Sequence, residues 1–412
     1  MNSSVQQISA TQCMKCGFCM STCPVYQVDH VESHVARGRN LLIRMAEQQS
    51  VPDQDDYGAC LDACLLCGRC QAVCPAGVPS PEINIQAREK RLSEEGVPLW
   101  QQLLYRGILK HRPLMAQLIR VAALIPGLNH SEGRPLRHMA DATALFTGGL
   151  RVPRIASTFL SKRIPEPIVP TQCRPAKGRV AFFPGCGFEF FFSQIGFDSI
   201  RLLALAGYEV VYPDNLTCCG MAVKNAGDSK TARSMARQNI EALASFDHIV
   251  TSCATCGTTL KQYGKWFEND PHLRDKAHAV SSKVADFSEF LVGSSFRPKR
   301  QANAPVKITY HDPCHLKWHQ GVSEYPRQLL QSLDGVEFVE MENADACCGL
   351  GGTFGIKHRE TSLSIQEKKI QSIEKTGASI VATACPGCMI QLMDGLRRYD
   401  LPVEVVHVAQ LL

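Results

Sequence analysis

The stretch DHIVTSCATCG, residues 247–257, recurs as ASIVATACPGC at 378–388. In both copies a short apolar run rich in β-branched residues ends on a Cys-x-x-Cys pair, which reads as a buried strand whose end delivers two thiols. Working outward, RVAFFPGC (179–186) answers VKITYHDPC (306–314), and GYEVVYPDNLTCCG (207–220) answers GVEFVEMENADACCG (335–349). SSKVADFSEFL (281–291) answers PVEVVHVAQLL (402–412), each a strand entering a short helix. The stretches between, SQIGFDSIRLLALAG, SKTARSMARQNIEALASF, SEYPRQLLQSLDG and RETSLSIQEKKIQSIEKTG, carry helical periodicity, and several stop at glycine. Strands alternating with helices predict an α/β module with a mainly parallel sheet, present twice, over 179–295 and 304–412. Ligands of such sheets collect outside the C-terminal strand ends, where every cysteine of this half except Cys173 falls.

The cysteine spacing is C-x31-CC-x33-C-x2-C in one module and C-x32-CC-x36-C-x2-C in the other. One set is Cys186, Cys218, Cys219, Cys253 and Cys256; the other is Cys314, Cys347, Cys348, Cys385 and Cys388. Five thiols exceed the four that a zinc ion or a cubane cluster takes, so the pattern points to a cluster of another shape. The glycine after each adjacent pair, Gly220 and Gly349, is where backbone is expected to approach the sulfurs and offer them N–H groups. GLGGTFG (349–355) misses the dinucleotide fingerprint by one residue and follows a cysteine pair, so it is set aside. His311, His315 and His319 stand four apart, as on a metal-binding helix face. With Cys314 among them, core or supporting roles are expected instead.

The first hundred residues carry a different pattern. CMKCGFCMSTCP gives Cys13, Cys16, Cys19 and Cys23, and CLLCGRCQAVCP gives Cys64, Cys67, Cys70 and Cys74. Both are C-x2-C-x2-C-x3-C-P, the run of bacterial two-cluster ferredoxins, in which the fourth cysteine ligates the other cube. The expected sets are therefore Cys13, Cys16, Cys19 and Cys74 for one [4Fe–4S] cluster, and Cys64, Cys67, Cys70 and Cys23 for the second. Two zinc knuckles are the alternative, but zinc does not require a third thiol and a Cys-Pro at these spacings twice. Cys60 is expected to be a buried structural thiol. ESHVARGRNLLIRMAEQQ reads as a helix whose Arg37 and Arg39 either offset cluster charge or face solvent, and EINIQAREKRLSEEG as a second helix ended by Gly96.

Composition bounds the rest. At 412 residues, 45% hydrophobic and 20% charged, the chain has the make-up of a soluble globular protein of two or three domains. No apolar run reaches membrane-spanning length and no secretory signal is visible. Twenty cysteines clustered at short spacing favour metal ligation in a reducing, cytoplasmic compartment over disulfides. Residues 101–178 hold 12 Lys/Arg against 3 Asp/Glu, whereas both flanking regions are near balance. This connector, 97–178, should break at Pro113 into two helices and continue as an extended linker from 130. It reads as a spacer packed between domains, or as a peripheral contact with anionic lipid or a partner subunit. Nothing points to nucleic acid.

The five-cysteine motif resembles the CCG domains of the heterodisulfide reductase B subunit family, in which the complete motif goes with a noncubane [4Fe–4S] cluster. The resemblance implies one or two such clusters here beside two cubanes. Over nearly its full length the chain resembles the iron–sulfur subunit of glycolate oxidase and related lactate dehydrogenases, CMKCGFCMSTCPVYQ and KQYGKWFENDPHLRDKA fitting best. The C subunit of anaerobic glycerol-3-phosphate dehydrogenase has a similar layout and fits less well. The resemblance implies a partner FAD subunit that oxidises a 2-hydroxy acid, an oxidoreductase complex with further iron–sulfur or membrane subunits, and electron delivery towards a quinone-linked acceptor at the inner face of the cytoplasmic membrane. Other readings are thiol–disulfide reductase chemistry, as in heterodisulfide reductase, and a zinc-bound scaffold. No flavin or nicotinamide motif, Walker loop, HExxH or G-x-S-x-G is present.

Overall fold

Strands β1 (Arg179–Phe182), β2 (Glu209–Val211), β3 (His248–Thr251) and β4 (Val284–Asp286) form one sheet; β5 (Val306–Tyr310), β6 (Val336–Phe338), β7 (Ile380–Thr383) and β8 (Glu404–His407) form another. Both are wholly parallel, in the orders β2-β1-β3-β4 and β6-β5-β7-β8, with Val180 paired to His248 and Ile308 to Ile380 at the centres. Val180, Ala181 and Phe182, like all four residues of β7, are buried, as expected of strands covered by helices on both faces. Chain order reverses between β1 and β3, and again between β5 and β7. This switch point opens a crevice at the strand ends. The structure, a computed structural model, describes residues 10–50, 54–123, 153–164, 166–170, 175–298 and 305–412.

The N-terminal half is helical: α1 (Phe18–Thr22), α2 (Ala36–Glu47), α3 (Arg69–Ala72) and α4 (Ser80–Glu95) surround a small core of Ile43, Leu61, Val78 and Ile83. The fold is therefore a helical dicluster-type domain followed by duplicated parallel α/β modules. Helix α4 stops at Gly96, whose φ of 83° suits the residue that ends it. In the connector, α5 (Arg112–Ala123) follows a π-helical stretch, Gln102–Leu109, and Pro113 takes the second position of α5, where a missing N–H costs nothing. The linker expected from 130 lies largely outside the described residues, as does Cys173. Tyr105 is buried in the core of the first module, so the connector packs against that module.

The helical half is tied to both modules through buried or half-buried groups. Arg88 donates to the carbonyls of Leu61 (2.6 Å), Cys64 (3.2 Å) and Asn225 (2.8 Å), bridging a cysteine loop to the first module. Lys224, 8% exposed, places its ammonium 2.9 and 3.0 Å from the two Glu82 oxygens. Lys357 reaches Asp62 (2.7 Å) and Lys368 the Gln27 carbonyl (2.7 Å), from the second module.

Candidate metal centres

The two ferredoxin-type loops share one backbone device. Lys15 and Gly17 in the first, Leu66 and Gly68 in the second, all have positive φ, at 58°, 88°, 54° and 82°. The loop thereby curls around its own thiols and turns N–H groups inward; Leu66 N–H donates to Cys64 Sγ at 3.4 Å. Helices α1 and α3 end before Cys23 and Cys74, so each fourth sulfur departs from its own loop. One cavity is lined by Cys13, Cys16, Cys19 and Cys74, and another by Cys23, Cys64, Cys67 and Cys70. Burial pushes the Cys67 and Cys70 thiols up, with neighbouring sulfurs adding to it. Only a cation in the cavity would make it favourable to hold all of these as thiolates.

Arg39 is 4% exposed, so the solvent-facing reading does not hold for it. Its Nη1 has no hydrogen-bond partner and, among the described residues, no carboxylate pairs with it. The charges acting on it come from Cys64, Cys23, Cys70 and Cys60. A guanidinium buried without an anion costs several kcal/mol, so this position calls for negative charge in the cavity it adjoins. Arg37 instead pairs with Glu32 at 2.7 Å near the surface. Cys60 is half-buried and not, as expected, fully enclosed; its place on a helix beside Arg39 leaves one side open.

In the modules, Cys253 caps α6 (Ala254–Trp266) and Cys385 caps α8 (Pro386–Arg398), with Cys256 and Cys388 in the first turns. Sulfur contacts run Cys186–Cys218–Cys219–Cys256–Cys253 in the first module and Cys314–Cys347–Cys348–Cys388–Cys385 in the second. Each expected set of five is thus brought to one strand-end crevice. Cys348 and Cys388 sulfurs lie 3.6 Å apart. Hydrogen bonds from neighbouring thiols hold Cys219 (from Cys218, then Cys256), Cys348 (from Cys347, then Cys388) and Cys385 (from Cys253, then Cys388) well below the usual thiol range. Gly349 adopts φ 96° and its N–H donates to Cys347 Sγ at 3.4 Å, as expected of the glycine after the pair. Gly220 has φ 92° and makes the same kind of contact to Cys218.

The four thiol sites are contiguous. Cys70 and Ala36 line both ferredoxin-type cavities. Cys64, Leu65 and Leu66 line the second of these and also a cavity of about 200 Å³ lined by all five thiols of the second module. Cys67 packs with Cys314 and Cys347 in one cluster, and His319 bonds the Leu66 carbonyl at 3.1 Å. The second module then meets the first through a Cys385–Cys253 sulfur contact, beside the Ala254 N–H to Ala384 carbonyl bond at 3.0 Å.

Three features had no clear signal in the sequence. Arg112, from the basic connector, reaches the first module's site: its guanidinium lies 3.5 Å from the Gly185 carbonyl and 3.4 Å from Glu189, with Nη1 unpartnered. His311 is not on a helix with His315 and His319. It directly follows β5, three residues before α7 (Cys314–Gln320), while His315 and His319 stack at 5.0 Å on that helix. A groove between α4 and the first module, lined by Glu82, Lys224, Trp266 and His319, separates the halves on one side.

Comparison with known proteins agrees with this layout. A family model described as a 4Fe-4S dicluster domain matches residues 9–78, and a cysteine-rich domain, CCG, matches 180–261 and 308–393. The chain is 32% identical to a probable glycolate oxidase iron-sulfur subunit of Bacillus subtilis, over 97% of this chain and 92% of that one. It is 32% identical to lactate utilization protein A of Geobacillus thermodenitrificans, over 57% of this chain and 98% of that one. The B subunit of a fumarate reductase (CoM/CoB) from Methanothermobacter marburgensis is 29% identical over 97% of this chain and 71% of its own length.

Proposed function

Because the chain belongs to the family of glycolate oxidase iron–sulfur subunits, we propose that it is the electron-carrying subunit of a flavin-dependent 2-hydroxy-acid dehydrogenase acting on glycolate or lactate. The observation that carries this reading is the unbroken line of four thiol sites, from the Cys13 cavity through the Cys64 cavity and the second module to the first. Cys13, Cys16, Cys19 and Cys74 would hold one cubane, and Cys23, Cys64, Cys67 and Cys70 the other. The five-thiol sets would hold noncubane clusters. Clusters bound there supply one-electron carriage, which divides the two electrons of a flavin. The protein's own part is to neutralise charge with Arg39 and Arg112, to donate N–H groups from Leu66 and Gly349, and to shield the thiols other than the exposed Cys16 and Cys186 from water.

The FAD would reside on a partner subunit, and the connector is the surface proposed to meet it. Leu99, Trp100, Leu103, Leu118 and Val121 are 83, 56, 68, 42 and 60% exposed along one short region. Three arginines of this region make contacts with the protein, Arg106 towards Asp228 (3.7 Å), Arg112 towards Glu189 and Arg120 over the Phe159 ring, but Arg106 and Arg120 remain exposed. Such exposed apolar side chains, with only Arg106 and Arg120 exposed among the arginines of residues 99–121, suit a protein interface. No helix among the described residues is long and apolar enough to cross a membrane. Delivery to a quinone-linked acceptor is part of the proposal.

The test is native purification. A flavoprotein should accompany the chain, and glycolate or lactate should bleach the iron–sulfur absorption of the complex. A purified complex without flavin would sink this reading. The similarity to the fumarate reductase chain favours a second one, thiol–disulfide chemistry at the five-thiol sites. Disulfide cleavage by the reduced chain, without a hydroxy acid, would select it.

A further inference from the structure

His311 is fully buried, and neither ring nitrogen makes a hydrogen bond of normal geometry among the described residues, the Ala344 carbonyl approaching it only loosely. Buried polar groups are almost always paired, and an orphaned one calls for a missing partner such as an ion. The charged groups around it are committed elsewhere. Both Asp312 oxygens accept from Arg327 (2.9 and 2.8 Å), and Lys369 donates to the carbonyls of Asn343 (2.6 Å) and Ala344 (3.3 Å). One ring nitrogen lies within 4.8 Å of both the Cys348 and Cys388 sulfurs.

The sister module shows that the fold does not need an imidazole here. Phe183 stands three residues before Cys186 as His311 stands three before Cys314. The backbones match as well: Phe183 N–H bonds the Val250 carbonyl at 2.8 Å and His311 N–H that of Ala382 at 2.9 Å. A buried phenyl ring thus serves one module, while the other bears the cost of a buried, unpartnered imidazole against two sulfurs.

We propose that His311 is a nitrogen ligand of the second module's metal centre, bound beside Cys348 and Cys388, so that this centre is of mixed nitrogen–sulfur type and the first module's is all-thiolate. The proposal rests on the reading that the second module holds an iron–sulfur cluster. Taking the iron position that a fifth thiolate fills in the sister module, a neutral imidazole leaves less negative charge on iron and raises the reduction potential, as in Rieske centres. The two modules, alike in fold, would then be unequal in potential, with the higher one next to the helical half.

The test uses the natively purified complex from cells fed ¹⁵N-histidine. The second module's paramagnetic signal, in whichever redox state displays it, is identified by its loss, with the loss of iron, in Cys388→Ser. Pulsed EPR should find a directly bonded histidine nitrogen on that signal. His311→Phe, which installs the sister module's residue, should abolish the coupling. At a fixed potential it should also lower the ratio of reduced to oxidised centre at least tenfold, which is 59 mV for one electron. A Cys388-dependent signal with no histidine nitrogen, or one whose potential and spectrum survive His311→Phe, overturns the proposal alone. Absence of any Cys388-dependent signal and iron removes the cluster reading of the second module and this proposal together.

Discussion

Replacing Arg39 by glutamine keeps a polar side chain of similar length on α2 and removes one buried positive charge. The charge has no carboxylate partner among the described residues and lies among Cys23, Cys64 and Cys70. Reduction of a cluster there adds a negative charge that the guanidinium stabilises. With an effective dielectric of about 20, two unit charges about 4 Å apart interact by about 4 kcal/mol, and by about 2 kcal/mol at twice that separation. At 59 mV per tenfold change for one electron, the midpoint potential of this cluster should fall by about 90–170 mV. The assay is a redox titration of the purified complex followed by EPR, with the Cys13 cluster as internal reference. Arg37→Gln is the control: Arg37 is ion-paired with Glu32 and lines the Cys13 cavity and not the Cys64 one, so its removal should move the Cys64 cluster's potential little against an external standard. A shift below about 30 mV in Arg39→Gln, with iron retained, would refute the charge-compensation reasoning, because screening that complete is incompatible with a buried site.

The other expectations concern backbone fit, docking and pH. A Cβ on Gly185, which has φ 62°, would come 2.6 Å from Cys256 Sγ, so Gly185→Ala should cost the first module its iron while the Cys13 and Cys64 signals persist. Arg88→Ala strands three carbonyls at the junction of the halves and should destabilise it by about 2–4 kcal/mol, read as faster proteolysis near residues 61–64. Leu103→Asp with Leu118→Asp should release the flavoprotein in gel filtration while iron per chain is unchanged; retention of the flavoprotein would move the interface elsewhere. Asp286, buried at the start of its helix, has its carboxyl pushed up to about 6, chiefly by burial. Its folded value exceeds the unfolded one, so this group favours folding below about pH 4 and loses that contribution as pH rises to about 6. Asp286→Asn, which preserves the cap, should flatten the fall in melting temperature between about pH 4 and 6.

How far the sequence can be read depends on whether a feature is local. The β3 and β7 strands with their Cys-x-x-Cys pairs were legible because a parallel strand buried on both faces has to be apolar throughout, and because the pattern occurs twice. Helix α4 was legible from Pro81 to Gly96 for the same kind of reason: both boundaries are written in residues that constrain the backbone. The burial of Arg39 was not, since periodicity marks an arginine as outward and only the cysteine loops folded against α2 make that face interior. His311 was misplaced by spacing alone. The four-residue interval suggested a helix, but Asp312 and Pro313 turn the chain between the end of β5 and the start of α7. The inward turn of Arg112 depends on Gly185, over seventy residues away, and no local pattern announces it. Ligand spacing is written in the sequence; the groups that tune the ligands come from elsewhere in the fold.

The most direct measurement is metal content and reducibility of the complex purified without oxygen. If all four thiol sites hold [4Fe–4S] clusters, iron should reach about 16 per chain, about 8 of them surviving loss of the five-thiol sites. Glycolate or lactate should then bleach the iron–sulfur absorption through the partner flavin. Zinc in place of iron, or iron that stays oxidised while the flavin is reduced, would contradict an electron-carrying role.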